Sequence, residues 1–192
     1  MIIMNEAFAK ELMNLAEKDL SVREKLNSEG KLANSYHPEM ELVHRQNAER
    51  LRNIIKEIGY PTILKVGEKG SDAAWLIIQH SIGEPEFMKS CYKMMIENKN
   101  DINPLNIAYL YDRIRVFQSQ PQKYGTQLTA EGIPYPVEDK NHLNEERLKV
   151  NLQSFSQEEI EQIPGIETIN ELDNKDADYT MWRIKTGWIT AP

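Results

Sequence analysis

Residues 71–81, SDAAWLIIQHS, decide the fold. Ser71 and Asp72 are good helix starters because their side chains can accept from the free N–H groups of a first turn. The run Ala73 to Ile78 that follows is apolar on every side of a helix. A helix without a polar face has to be surrounded, so the segment predicts the central helix of a bundle. It closes on Gln79-His80-Ser81, which places an imidazole in the last turn of the most buried element. The helix end favours the protonated ring and burial opposes it. For a single histidine the plain account is a core side chain satisfied by a carbonyl, and it is the rest of the chain that brings in the second account.

Working outward toward the N-terminus, residues 5–29 place Phe8, Leu12, Leu15, Asp19, Val22 and Leu26 at alternating steps of four and three, the spacing of one helical face. A carboxylate, Asp19, sits on that apolar stripe, with Arg23 one turn further on. An ordinary Asp–Arg pair at the edge of the face would be worth about 0.2–0.5 kcal/mol. Gly30 and the polar run to Ser35 end the helix. A second helix is expected from Pro38, a residue suited to the first turn, to Ile58, with Met40, Val43, Asn47, Leu51, Ile54 and Ile58 along one face. Asn47 again stands where an apolar residue is expected, and buried without a hydrogen bond it would cost about 1–3 kcal/mol. Thr62 to Gly67 reads as a short extended piece.

Toward the C-terminus, Gly83-Glu84-Pro85 turns the chain into a helix from Glu86 to Asn98, whose apolar face includes Phe87 and Cys91. Pro104 opens a further helix through Val116, with Leu105, Ala108, Tyr109 and Asp112 on one face and Arg113 beside it. Residues 117–139 carry Gly125, Gly132, Pro134 and Pro136, which exclude a helix; Gln127 to Thr129 and Ile133 to Val137 suggest a small ribbon. Helix returns over 140–153, and Ser156-Gln157-Glu158-Glu159 opens another. Beyond Pro164-Gly165 the chain turns acidic. Tyr179 to Trp188 then alternates apolar and polar, a strand-like tail expected to dock because exposed Trp side chains are costly. The expectation is a mainly α fold: an irregular bundle of six or seven helices with a small β-hairpin or ribbon and a strand-like C-terminal tail. Residues 1–155 form the helical domain with a polar pocket, and 156–192 an extension packed on it.

Composition narrows function before any motif does. A chain of 192 residues, 40% hydrophobic and 28% charged, can bury a core. Its net charge of −7 argues against nucleic acid or an anionic membrane as partner, since both need a positive surface. A small anionic ligand needs only a few local cations and stays open. Cys91 is the one cysteine, so no intrachain disulfide and no cysteine zinc knot is expected. Lying on an apolar stripe without a basic neighbour in sequence, its thiol reads as inert. Met1 to Met4 is too short for a signal peptide core and no apolar run suffices to span a membrane, so the chain reads as cytoplasmic.

The segments Asp19…Arg23, Asn47…Leu51, Gly59-Tyr60-Pro61, Gln79-His80-Ser81, Pro85-Glu86-Phe87, Tyr109-Leu110-Tyr111-Asp112-Arg113 and Gln122-Lys123-Tyr124-Gly125-Thr126-Gln127 occur in one order. Together they resemble a bacterial family catalogued as a domain of unknown function, over roughly residues 5–155, with Arg147 near the end. The chain departs from the pattern in having Tyr60 where the family usually has Trp, and in its C-terminal extension. The resemblance implies a mostly helical fold and a shared polar constellation. It supplies no activity.

Two lines of reading select the same residues, and they are expected to converge on one pocket. His80 would act as general acid or base, since its ordinary pKa lies near neutrality, and Asp112 or Asp19 would orient it. Tyr124 would donate a proton or stack on a ring. Arg113, with Arg23 or Arg147, would hold a carboxylate or phosphate, while Asn47, Gln79 and Gln127 would recognise polar groups. No Gly-rich phosphate loop, dinucleotide fingerprint or nucleophile elbow is present. His37 and His44 are seven apart, His142 stands alone, and no HExxH or paired Glu-x-x-His motif occurs, so neither metal nor cofactor is expected. What remains is a metal-independent hydrolase or transferase acting on a small polar or anionic ligand. The competing class is a non-catalytic interaction or scaffold protein, in which the same residues form a hydrogen-bond network fixing loop 117–137 and the acidic surface meets a protein partner.

Overall fold

In the computed structural model, which describes residues 4–32, 36–129 and 131–191, the chain divides into two units, residues 1–103 and 104–192. The expected polar terminator reaching to Ser35 lies partly outside the described residues, as does most of the Met1 to Met4 segment. Among the described residues there are nine α-helices, and none is long and apolar enough to cross a membrane.

The first unit contains α1 (Glu6–Ser28), α2 (Pro38–Ile58), α3 (Ile63–His80) and α4 (Pro85–Glu97), with a 3-10 turn at Lys99–Asp101. Asn5 caps α1 by accepting from the Phe8 amide, and Pro38 occupies the first turn of α2. As its apolar surround requires, α3 packs against α1, α2 and α4, and α1 also packs on α2. Val66, Ala73, Ala74, Ile77 and Ile78 from α3 meet a core that includes Leu12, Leu26, Leu51, Ile54, Met88 and Met95. The expected extended piece at Thr62 to Gly67 is instead a helical turn. Ile63 to Val66 already winds, Gly67 breaks it with φ 71° and ψ 167°, and the helix resumes directly. That φ is open to glycine at little cost, so a turn and a long helix join with a kink.

The second unit contains α5 (Pro104–Phe117), α6 (Leu143–Lys149), α7 (Gln157–Gln162), α8 (Ile169–Asn174) and α9 (Ala177–Thr186), with a 3-10 turn at Ile166–Thr168 before α8. Ser156 and Glu159 form a reciprocal capping box at the start of α7. Val137, Leu143 and Ile163 form a small core, flanked by Phe155 and Ile160.

Two sequence expectations are corrected here. The β-hairpin is absent among the described residues; only single bridges occur, Gln122 with Val137 and Leu128 with Pro134. Pro134 and Pro136 have no N–H to extend a ladder. The Gln122 side chain takes over part of its role: Nε2 donates to the carbonyls of Gln127 and Tyr135, and Oε1 accepts from the Gln127 amide. The C-terminal tail is likewise not a strand. Asp176 caps α9 by accepting from the Tyr179 amide, and Gly187 ends it in the left-handed region at φ 87°. Tyr179, Trp182 and Trp188 gather around Phe117. Arg183 is buried and pairs with Asp173 at 2.9 Å, while the Tyr135 hydroxyl donates to the other Asp173 oxygen.

Candidate functional site

In the first unit three helices each bring one ionisable side chain to a common place. Asp19 comes from the middle of α1, His44 from the first half of α2 and His80 from the last residue of α3. The close packing of α3 on α1 and α2 makes this meeting possible. His80 Nδ1 lies 2.8 Å from Asp19 Oδ1, and His44 Nε2 lies 3.3 Å from Asp19 Oδ2. The two imidazole rings stand 5.3 Å apart, centre to centre. One donor atom from each of the three residues lies within 4.8 Å of the other two.

The three groups differ in how they are held. Asp19 is 1% exposed and His44 6%, whereas the His80 side chain keeps 14% of its surface in solvent. On the far side of His44, the Tyr36 hydroxyl is 2.6 Å from Nδ1 and fixes the ring. Burial pushes the Asp19 carboxyl upward, but the approach of His44 and the hydrogen bond from His80 outweigh it, and the pKa falls to about 2. Asp19 is therefore a carboxylate at neutral pH, and Nδ1–H of His80 donates to it. Burial, with the charges of Glu41 and Asp19, pushes the Tyr36 hydroxyl up, which keeps it protonated. Contact at 3.3 Å notwithstanding, neither Asp19 Oδ2 nor His44 Nε2 has a hydrogen-bond partner of acceptable direction among the described residues.

Of the residues expected in the pocket, Asp19 and His80 are brought together. Arg23 is exposed on the solvent side of α1, so Asp19 engages the two histidines. Asn47 is buried one turn after His44; its Nδ2 donates to the Leu15 carbonyl at 3.1 Å and its Oδ1 lacks a partner among the described residues. Gln79 is buried beside His80 in the chain. His44 was missed as a site residue, although it sits one turn before Asn47 and shares its buried face with Met40 and Ala48.

The second unit gathers the remaining candidates around loop 118–127. Asp112 is fully buried on α5. Its Oδ1 accepts from the amides of Lys123 (2.8 Å) and Tyr124 (3.1 Å), and its Oδ2 from the Thr126 amide (3.0 Å) and hydroxyl (2.9 Å). Burial pushes its carboxyl up against the pull of these donors. Arg113 Nε donates to Gln127 Oε1 at 3.2 Å. Arg147 donates to the carbonyls of Tyr124 (2.5 Å) and Gln153 (2.6 Å) and lies 3.7 Å over the Phe155 ring. Gly125 takes φ +69°, and a Cβ there would stand 3.0 Å from Phe155. The Tyr124 ring meets Tyr111 edge-on at 6.1 Å, and burial pushes its hydroxyl up. Thus Asp112, Arg113, Gln127 and Arg147 all hold the Tyr124-Gly125-Thr126-Gln127 loop in shape.

Cys91 on α4 is fully buried, and burial pushes its thiol up to about 12, opposed only by the charge of Arg52. It stays a thiol in the folded chain.

A family model described as a family of unknown function (DUF6624) matches residues 6–163, and the chain belongs to that family. No curated protein and no solved structure matches it.

Proposed function

We propose that the chain binds a small polar ligand at the Asp19–His80–His44 centre and performs acid–base chemistry on it, with His80 as the proton-exchanging group. The observation that carries this reading is the 2.8 Å contact between His80 Nδ1 and a buried, ionised Asp19, on a ring that still reaches solvent. A carboxylate on one imidazole nitrogen fixes the tautomer and stabilises the imidazolium that forms when the other nitrogen takes a proton. Hydrolysis, group transfer and isomerisation all use such a step.

The second unit favours a different role for its part of the motif. There the Asp112 oxygens and the Arg147 guanidinium are taken up by backbone groups of the loop. This supports the network reading for the Asp112-Arg113 and Tyr124 to Gln127 segments.

The test is a thermal-shift screen of the full chain against nucleotides, sugar phosphates and amino-acid derivatives, in buffer with a chelator. A ligand at 100 times its Kd should add about 2.7 kcal/mol of stability. The His80→Gln variant, measured against its own ligand-free melting temperature, should lose that shift. A shift that survives in His80→Gln refutes the assignment.

A further inference from the structure

We propose that Asp19, His44 and His80 form a binding site for a divalent first-row transition ion of the zinc type. The inference rests on the preceding reading for its choice of residues, but not on His80 acting as a free base.

Three observations carry it. The first is composition and reach. Two imidazoles and one carboxylate are the donor set of open zinc sites and of the two-His, one-carboxylate iron sites. Bonds of about 2.0–2.1 Å at a tetrahedral angle would put neighbouring donors about 3.3–3.4 Å apart, and at a right angle about 2.9 Å. The contacts here run to the two carboxylate oxygens separately, 3.3 Å from Asp19 Oδ2 to His44 Nε2 and 2.8 Å from Asp19 Oδ1 to His80 Nδ1, so each imidazole stands at a spacing of this order from its own oxygen. All three donors already lie within 4.8 Å of one another, so small side-chain adjustments would admit an ion.

The second is dissatisfaction. Asp19 Oδ2 and His44 Nε2 are buried and 3.3 Å apart, an ion-pair contact in which the ring N–H is poorly aligned for a hydrogen bond. An ion between them satisfies both.

The third is support from behind. The Tyr36 hydroxyl on His44 Nδ1, at 2.6 Å, leaves Nε2 as the nitrogen aimed at Asp19. Metal-binding histidines characteristically use their second nitrogen for an outer hydrogen bond that fixes the ring. His80 supplies the contrasting feature: its partial exposure gives a water or ligand oxygen a side from which to complete the coordination.

The test uses the full chain stripped with a chelator and titrated with zinc chloride by calorimetry, with cobalt(II) absorption as a second readout. One equivalent of zinc is expected to bind. His44→Gln and His80→Gln should each weaken it by about 100-fold or more, and Tyr36→Phe, which removes only an outer partner, by about 10-fold. His142→Gln is the control, because His142 is exposed and paired with Asp139; its affinity should not change. Absence of a zinc equivalent overturns the proposal, as does binding that His44→Gln and His80→Gln leave intact. Should either variant fail to fold, zinc added to the wild-type chain must shift the NMR ring signals of His44 and His80. Shifts confined to His37 and His142 overturn it. A ligand found in the chelator-containing screen together with no zinc binding defeats only the metal. Zinc binding with ligand shifts that persist in His80→Gln defeats only the acid–base assignment.

Discussion

Replacing Asp112 by Asn separates a structural carboxylate from a chemical one, and the size of the effect follows from its partners. The exchange preserves shape but turns one acceptor oxygen into a donating amide. If the amide takes the Oδ1 position it faces the N–H groups of Lys123 and Tyr124; at the Oδ2 position it faces the Thr126 amide and hydroxyl. A hydroxyl can rotate to accept, but a backbone N–H cannot. At least one backbone donor is therefore left buried against another donor, at about 1–3 kcal/mol. The remaining bonds lose their charge assistance, which adds about 1 kcal/mol. Asp112→Asn should thus lower stability by about 2–4 kcal/mol, and Asp112→Ala by at least as much, since all four donors lose their acceptor. Urea unfolding at neutral pH measures the loss, and amide hydrogen exchange locates it at Lys123, Tyr124 and Thr126. A variant within about 0.5 kcal/mol of wild type, with those amides still protected, would refute the loop-holding role and return Asp112 to the list of groups kept for chemistry.

Asp19 gives a pH signature of defined sign. Its folded pKa of about 2 lies below the ordinary 3.8, so its stabilising contribution is present above pH 3.8 and is lost as pH falls through 2. That contribution is about 2 kcal/mol, and unfolding curves from pH 5 to 2, in chelator, should be flatter for Asp19→Asn than for wild type by this amount; parallel curves would remove the ion-paired reading of the site. At Gly125, an alanine has to hold φ +69° and press its Cβ to 3.0 Å from the Phe155 ring. The backbone conformation alone costs about 1–2 kcal/mol, so urea midpoints should show at least that loss, and a neutral Gly125→Ala would contradict the tight turn beneath Phe155.

How much of this was legible in the chain depended on the range of the interaction. The helices α1, α2, α4 and α5 follow from spacing and from Pro38, Pro85 and Pro104 at their first turns, because these signals act within a few residues. The all-apolar run in α3 announced a surrounded helix, and α3 does pack on three others. The tail misled for a local reason. Trp182, Ile184, Thr186 and Trp188 alternate, yet Tyr179, Trp182 and Arg183 also recur at helical steps, and a run this short fits either period. What decided the matter was the Asp176 cap together with burial of Arg183 against Asp173, a partner ten residues away. The centre itself was half visible. Asp19 and His80 stood out because each interrupts or ends an apolar face. His44 did not, since a stripe counted through Val43 and Asn47 steps over it, and spacing within one helix says nothing of a cluster drawn from three. Its position one turn before Asn47 was the available signal.

Asp19 and Asp112 look alike in sequence, each a carboxylate on an apolar helix face, and both are buried. Their surroundings divide them. Asp112 is met by four donors from one loop, each directed at an oxygen, as a group that exists to hold backbone in place should be. Asp19 is met by two imidazoles from two other helices, and only one of them makes a directed bond. Neither imidazole is taken up by a backbone group: His44 meets Tyr36 and Asp19, and His80 meets Asp19. A structural network closes on itself, whereas this one leaves a buried oxygen and a buried nitrogen facing each other and a histidine edge in solvent. That incompleteness is the physical ground for proposing chemistry at Asp19, His44 and His80, and for treating the Asp112 loop as the part of the motif that is kept for its shape.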